Sequence, residues 1–169
     1  MQIFASVGTH EQQMNRLIDA LEKISSNKDY NIFIQYGYST KPLVNCNGAP
    51  FLGYVEMRNR MKNSDIVITH GGPGTIIDAM EVGKFPIVVP RQKEYKEHVD
   101  NHQVLFAKKL EEMNKVILCL DPILSLKSCI EKVNSRKNTK DISDLEENKA
   151  SYLLEESINL YLENKNKKN

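Results

Sequence analysis

Residues 64–92 read SDIVITHGGPGTIIDAMEVGKFPIVVPRQ, and this stretch decides the fold. The run DIVIT at 65–69 is the clearest strand in the chain, a short apolar and β-branched segment. It passes directly into HGGPGT at 70–75 and then into a helix predicted over residues 75–82. Gly83 stands where a helix C-cap belongs. A second buried strand is predicted at 86–89, stopped by Pro90. Strand, glycine turn, helix and strand in so short a span form the repeating unit of a parallel α/β sheet.

The same alternation extends in both directions. Residues 2–7 read as a first strand ending at Gly8, and Met14, Leu17, Ile18 and Leu21 then follow helical spacing and give one buried face. NIFIQ at 31–35 is a second strand, closed by the loop YGYST. Residues 41–50 read as a Pro/Gly/Asn-rich loop, 51–55 as a short strand and 57–63 as a short helix. Beyond Pro90 the pattern predicts a helix over 98–113, a sixth strand over 116–120 and a helix over 123–134 opened by Pro122. The fold class is therefore α/β: a single Rossmann-like parallel sheet flanked by helices, over residues 1–135. A polar linker follows at 136–144, then an amphipathic C-terminal helix at 145–164 and a polar tail at 165–169. The apolar stripe of that last helix is Ala150, Leu153, Leu154, Ile158 and Tyr161.

Composition narrows the function. The chain has 169 residues and 19.4 kDa, enough for one domain with a real core. A formal net charge of +1 offers no field suited to a nucleic-acid partner. The three cysteines, Cys46, Cys119 and Cys129, form no CxxC pair, and an odd number without a signal sequence points to reduced, buried thiols in a cytoplasm. No stretch approaches the roughly 20 apolar residues of a membrane span, so membrane association is expected to be peripheral or through a partner.

In an open parallel sheet, ligands bind where the strands end at their carboxyl edge. Three loops leave that edge with unusual residues: Gly8-Thr9-His10, residues 36–40, and residues 70–75. In the third, Gly71, Gly72 and Gly74 remove side chains where a ligand would approach the backbone, and Pro73 stiffens the turn. Thr75 offers a hydroxyl at the first turn of the helix, where unpaired N–H groups and the dipole favour a phosphate. A plain strand–helix turn that needs glycine explains the same residues. Neither the GxGxxG fingerprint nor a Walker loop is present, which removes weight from those nucleotide classes. Asp78, one turn after Thr75, could accept hydrogen bonds from the two hydroxyls of a ribose, or be an exposed helix carboxylate favoured by the dipole.

A second polar concentration follows Pro90. It contains Arg91, then Glu97, His98, Asp100, Asn101, His102 and Gln103. Two histidines, an Asn and a Gln so close together suit a hydroxyl-rich or phosphate ligand, whereas Asp100 reads as part of a solvated face. Zinc on His98 and His102 is disfavoured, because HExxH is absent and no third ligand presents itself. No metal and no cofactor are expected.

The segments VGTHEQQMNRLI, FIQYGYST, SDIVITHGGPGTIIDAMEVGKFPIVVPRQ and EHVDNHQ together resemble the C-terminal domain of glycosyltransferase family 28. The likeness is strongest to bacterial capsule and exopolysaccharide transferase subunits and to the cytosolic catalytic subunit of the eukaryotic two-protein transferase of dolichol-linked oligosaccharide synthesis. It spans roughly residues 1–120 in order. It implies the C-terminal half of a GT-B fold, which holds a UDP-sugar donor while a second domain binds a lipid-linked acceptor. By position, Gly8 and Thr9 would lie at the diphosphate, and Val55 would offer backbone hydrogen bonds to uracil. Gly72, Gly74 and Thr75, with His70 and Gly71 beside them, would cradle the phosphates, and Asp78 would take the ribose. His98, Asn101 and Gln103, with Arg91 and Glu97, would line the donor-sugar side. The family more often carries Glu at the ribose position, so Asp78 is a shorter version.

The resemblance further implies an inverting UDP-sugar-dependent hexosyltransferase acting in polysaccharide biosynthesis, moving a hexose or N-acetylhexosamine to a lipid-linked saccharide. One domain is half of such an enzyme, so a heterodimer with a membrane-anchored, acceptor-binding subunit is expected, holding this chain at the inner face of the membrane. Departing UDP would be stabilised by loop N–H groups and helix N-termini. His10 is the candidate general base. A non-catalytic nucleotide-binding or scaffolding subunit, and a Rossmann-like enzyme using another nucleotide, are the alternatives.

Overall fold

The computed structural model describes residues 1–26 and 29–138. The predicted C-terminal helix and tail, and most of the predicted linker, lie outside the described residues. Six parallel strands form one sheet: β1 (Gln2–Ser6), β2 (Asn31–Gln35), β3 (Asn47–Ala49), β4 (Ile66–His70), β5 (Ile87–Val89) and β6 (Ile117–Leu118). The helices are α1 (Asn15–Ser25), α2 (Tyr54–Asn63), α3 (Pro73–Glu81), α4 (His102–Glu112) and α5 (Pro122–Asn138). Strand order is β3-β2-β1-β4-β5-β6, so the chain winds outward from β1 in one direction and restarts at β4 in the other. Between β1 and β4 the connections diverge, and a crevice opens there at the carboxyl edge.

Alternation along the strands divides the core into two layers. Ile3, Ala5 and Val7 face α1 and α5, packing with Leu17, Ile18 and Leu21 and with Leu126, Cys129 and Ile130. On the opposite face, Phe4 and Val67 meet Met61 of α2 and Ala79 of α3. Val88 meets Ile76, Ala107 and Leu110 on the same side. All three cysteines are buried free thiols. No helix among the described residues is long and apolar enough to cross a membrane.

Several boundaries differ from the sequence expectation, each for a local reason. The strand predicted at 51–55 does not form, and the edge strand lies earlier, at Asn47–Ala49 inside the predicted loop. Its backbone comes so close to β2 that a Cβ on Gly48 would lie 2.4 Å from the Ile34 carbonyl oxygen. Chain then turns into α2 at Tyr54, three residues ahead of the predicted start, with Gly53 as N-cap. The helix predicted from residue 98 begins at His102, because the side chains of His98, Asp100 and Asn101 bond to the loop backbone instead of letting it coil. At its far end α5 runs on to Asn138, past the predicted end at 134. Gly83 takes the expected role. Its φ is +76°, and the paired bonds Gly83 N–H to Met80 O (2.9 Å) and Lys84 N–H to Ala79 O (3.0 Å) close α3 in a Schellman turn.

Candidate functional site

The carboxyl ends of β1 and β4 bring the first and third predicted loops together. His70, the last residue of β4, is the piece between them. Its imidazole lies against two glycines: a Cβ on Gly8 would come within 2.5 Å of the ring, and one on Gly72 within 2.3 Å. Gly8 also has φ +79°, a conformation other residues adopt at a cost. The ring is buried, and that burial, with Arg91 nearby, pulls its pKa down to about 3, so it is a neutral spacer at neutral pH. Gly71 is held by a different neighbour, since a Cβ there would lie 2.7 Å from the Gln103 side chain.

Gly74 is unlike these three. A Cβ at Gly74 meets nothing within 4 Å, and the residue is exposed in the first turn of α3. Protein packing gives no reason for glycine here. Gly72 is the N-cap and Pro73 occupies the first helical position, where its missing N–H costs nothing. The first N–H to close an intrahelical bond on this cap is that of Ile76, onto Gly72 O at 3.2 Å. The N–H groups of Gly74 and Thr75 thus precede the helix ladder, at the positive end of the helix dipole. Thr9 is exposed on the facing loop.

On the α2 side, Val55 lies in the first turn of its helix, ahead of the Met57 N–H to Gly53 O bond of 2.9 Å, so its N–H also precedes a helix ladder. Asp78 is joined to this helix: its Oδ1 accepts from the Tyr54 hydroxyl at 3.3 Å and from Arg58 Nη1 at 3.0 Å. Arg58 bonds Glu81 as well, at 2.6 Å. The ribose candidate thus sits at the α2–α3 junction. Sequence reasoning missed three exposed aromatics: Tyr38 and Phe51 pack edge to face at 5.3 Å, and Tyr54, next to Val55, is the one that bonds Asp78. The available signal was Tyr38 in a predicted loop, with Phe51 and Tyr54 in a predicted strand that does not form.

Arg91, Glu97 and Gln103 lie under the crevice and turn inward. Arg91 is fully buried, donating to the carbonyls of Val7 (2.8 Å), Gln12 (2.7 Å), Gln13 (3.2 Å) and Glu97 (3.0 Å). The Glu97 carboxylate accepts from Arg16 of α1 at 2.8 Å and from Gln92 N–H at 3.1 Å. Gln103 Oε1 accepts the Arg91 N–H at 3.1 Å. These polar groups tie the loop after β5 to the loop after β1 and to α1; their hydrogen bonds are made to backbone and to Arg16. Asn101 serves the loop too, accepting from Lys93 N–H at 2.8 Å and donating to Glu94 at 3.1 Å.

Above them stand three imidazoles. His10 and His98 have ring centroids 4.7 Å apart, and His98 and His102 4.6 Å apart. Asp100 lies between the last two, its Oδ1 3.3 Å from His98 Nδ1 and in hydrogen-bond contact with His102 Nδ1. Burial and the neighbouring His102 pull the His98 imidazole pKa down. Burial opposes the charge of Asp100, yet its bonds to His102 outweigh that and hold its carboxyl at about 2. His98, Asp100 and His102 have ligand-type atoms within 4.8 Å of one another, the third ligand that the sequence did not reveal. As they stand, those atoms are engaged with each other. His10 Nδ1 accepts the Gln12 N–H at 3.2 Å, so its neutral ring carries the proton on Nε2. In this geometry His10 is a donor, and service as a base would require that bond to be given up.

Strand order and paired glycine loops define a single Rossmann-like α/β domain of the GT-B type. The family model for the glycosyltransferase family 28 C-terminal domain matches residues 2–158, and the chain belongs to that family. It is 36% identical over 55 residues to the UDP-N-acetylglucosamine transferase subunit ALG13 of Yarrowia lipolytica, covering 32% of this chain and 26% of that protein. With ALG13 of Candida albicans it shares 33% identity over 81 residues, 48% of this chain and 25% of the other. The matches span about a quarter of these relatives' length. Among solved structures, the glycotransferase of kitacinnamycin superposes with a TM-score of 0.64 at 15% identity, over 94% of this chain and 39% of that one. That likeness is one of fold.

Proposed function

We propose that this chain is the donor-binding subunit of an inverting glycosyltransferase that moves a hexose or N-acetylhexosamine from a UDP-sugar to a lipid-linked saccharide in polysaccharide biosynthesis. Gly74 carries the reading, as a glycine that the protein's own packing does not require. It stands at a helix N-terminus in the switch-point crevice, where a phosphate would need the space and the N–H. Around it, Gly8, Thr9, Gly72 and Thr75 would surround the diphosphate, Val55 N–H would meet the base and Asp78 the ribose. Family membership and the ALG13 relatives support UDP as the nucleotide. The charge growing on departing UDP would be met by the α3 N-terminus and by His10 Nε2–H, both fixed before the reaction.

The described sheet corresponds to one domain of a two-domain enzyme, and we place the acceptor site on a companion subunit anchored in the membrane, with this chain at the cytoplasmic face. Arg91, Glu97, Gln103 and Asn101 act by positioning the loops, and His98 faces the donor sugar. The test is transfer of labelled sugar from UDP-hexoses and UDP-N-acetylhexosamines to membrane lipid by this chain with its companion. Transfer that needs both proteins supports the proposal. UDP binding with no transfer from any of these donors would leave a scaffolding subunit instead.

A further inference from the structure

Tyr54 and Arg58 stand four residues apart on α2, and Asp78 and Glu81 three apart on α3, so each pair shares one face of its helix. The two faces meet. A single nitrogen, Arg58 Nη1, donates to Glu81 Oε2 at 2.6 Å, to Asp78 Oδ1 at 3.0 Å and to the Tyr54 hydroxyl at 3.2 Å. The Tyr54 hydroxyl donates in turn to Asp78 Oδ1 at 3.3 Å, so that one oxygen accepts twice. Packing does not call for this network, because α2 and α3 already share an apolar cluster through Met61 and Ala79. The side chains of Arg58, Asp78 and Glu81 are 27%, 17% and 43% exposed, and ion pairs so placed add little stability.

What the network fixes is a carboxylate. The shortest bond of Arg58 goes to Glu81, which anchors the guanidinium independently of Asp78. The second oxygen of Asp78, Oδ2, takes no bond from the described residues and is not sealed from solvent. A carboxylate gripped through one oxygen cannot turn freely, and the lone pairs of the other stay in one place. Such a group accepts hydrogen bonds from a ligand's hydroxyls without first losing its own rotational freedom. Asp78 lies one turn past Thr75, and Tyr54 adjoins Val55, so the same network joins the first turns of α2 and α3.

We infer that Arg58 is the positioning residue for ribose recognition: anchored on Glu81, it holds Asp78 by Oδ1 so that Oδ2 accepts from the ribose hydroxyls. This rests on the function proposed above, which gives Asp78 the ribose.

The experiment is calorimetric titration of the folded chain with UDP and with 2′-deoxy-UDP, which lacks one of the two hydroxyls. Wild type should prefer UDP by about tenfold, the scale of a hydrogen bond to a charged group, and D78A should lose the preference. R58A keeps the carboxylate but lets it turn, so UDP affinity and the preference should each fall about threefold. R58K should restore most of the preference, since all three bonds come from one nitrogen and an ammonium carries three donors. E81Q should lower the preference less than R58A. Added to D78A, R58A should cost no further UDP affinity, because Arg58 acts only through Asp78.

An R58A preference equal to wild type, or an R58K no better than R58A, would overturn the inference. So would a further loss of UDP affinity when R58A is added to D78A, since Arg58 would then touch the ligand itself. If the wild-type chain takes up no UDP, the function reading itself fails; if UDP binds and D78A abolishes the preference while R58A leaves it intact, only this assignment does.

Discussion

Gly72 lies against the imidazole of His70 so closely that a methyl group on its α-carbon would fall 2.3 Å from Nε2. Gly8 approaches the same ring from the other loop, so one buried side chain spaces the two turns that form the crevice. Enlarging either glycine must move the ring or the loop. G72A is expected to cost about 1–3 kcal/mol of stability in urea denaturation. Adding H70A should recover part of that loss; a double variant no more stable than G72A would mean the ring is not what the methyl strikes.

Gly74 predicts the opposite pattern. With nothing within 4 Å of a built Cβ, G74A meets no clash, and alanine in a first helical turn should raise stability by up to about 1 kcal/mol. UDP affinity should nonetheless fall at least tenfold, as the methyl fills the space assigned to a phosphate. A variant that is more stable and binds UDP as well as wild type would remove Gly74 from the site.

His70 gives a pH dependence whose sign follows from burial. Its pKa in the fold is about 3, against 6.5 in an exposed chain. Between those values the unfolded chain holds a proton that the folded chain does not. Stability therefore falls as pH drops below 6.5, by up to about 1.4 kcal/mol per pH unit, until about pH 3. Denaturation of wild type and H70N across this range should show a shallower slope for H70N. Parallel slopes would mean that the ring is protonated in the fold.

Much of the frame follows from residues close together in sequence. Residue 31 to residue 35 and the start of β4 are short apolar runs whose neighbours do not alter their state, and the loops at Gly8 and Gly72 are marked by their glycines. The parts that were not legible depend on partners far along the chain. Arg91 and Glu97 look like ligand-facing charges until Arg16 of α1, 81 residues before Glu97, is seen to occupy the carboxylate. The edge strand at Asn47–Ala49 has no apolar run and forms because β2 offers it a ladder. The tautomer of His10 was not legible either, because it depends on the Gln12 N–H as a partner, which spacing does not specify.

Asp78 and Arg58 form a partly exposed ion pair at 3.0 Å, of a kind that contributes about 0–1 kcal/mol. D78A should therefore leave the urea midpoint nearly in place while weakening UDP about tenfold, the scale of lost hydrogen bonds to a charged group. R58A tests whether Asp78 serves the ligand or merely Arg58. Equal losses of UDP affinity in both variants would assign Asp78 to the helix junction alone.

Buried Arg91 binds four carbonyls from three segments, and Arg91→Met should cost about 3–5 kcal/mol in urea denaturation. A variant within 1 kcal/mol of wild type would show that the loops after β1 and β5 are held by other contacts.

Calorimetric titration of the folded chain with UDP, beside NAD and beside the G74A variant, tests the central claim most directly. Saturable one-to-one uptake of UDP, none of NAD, and a marked loss in G74A are the predicted results. A well-folded chain that takes up no UDP, alone or with the proposed companion subunit, would contradict the account.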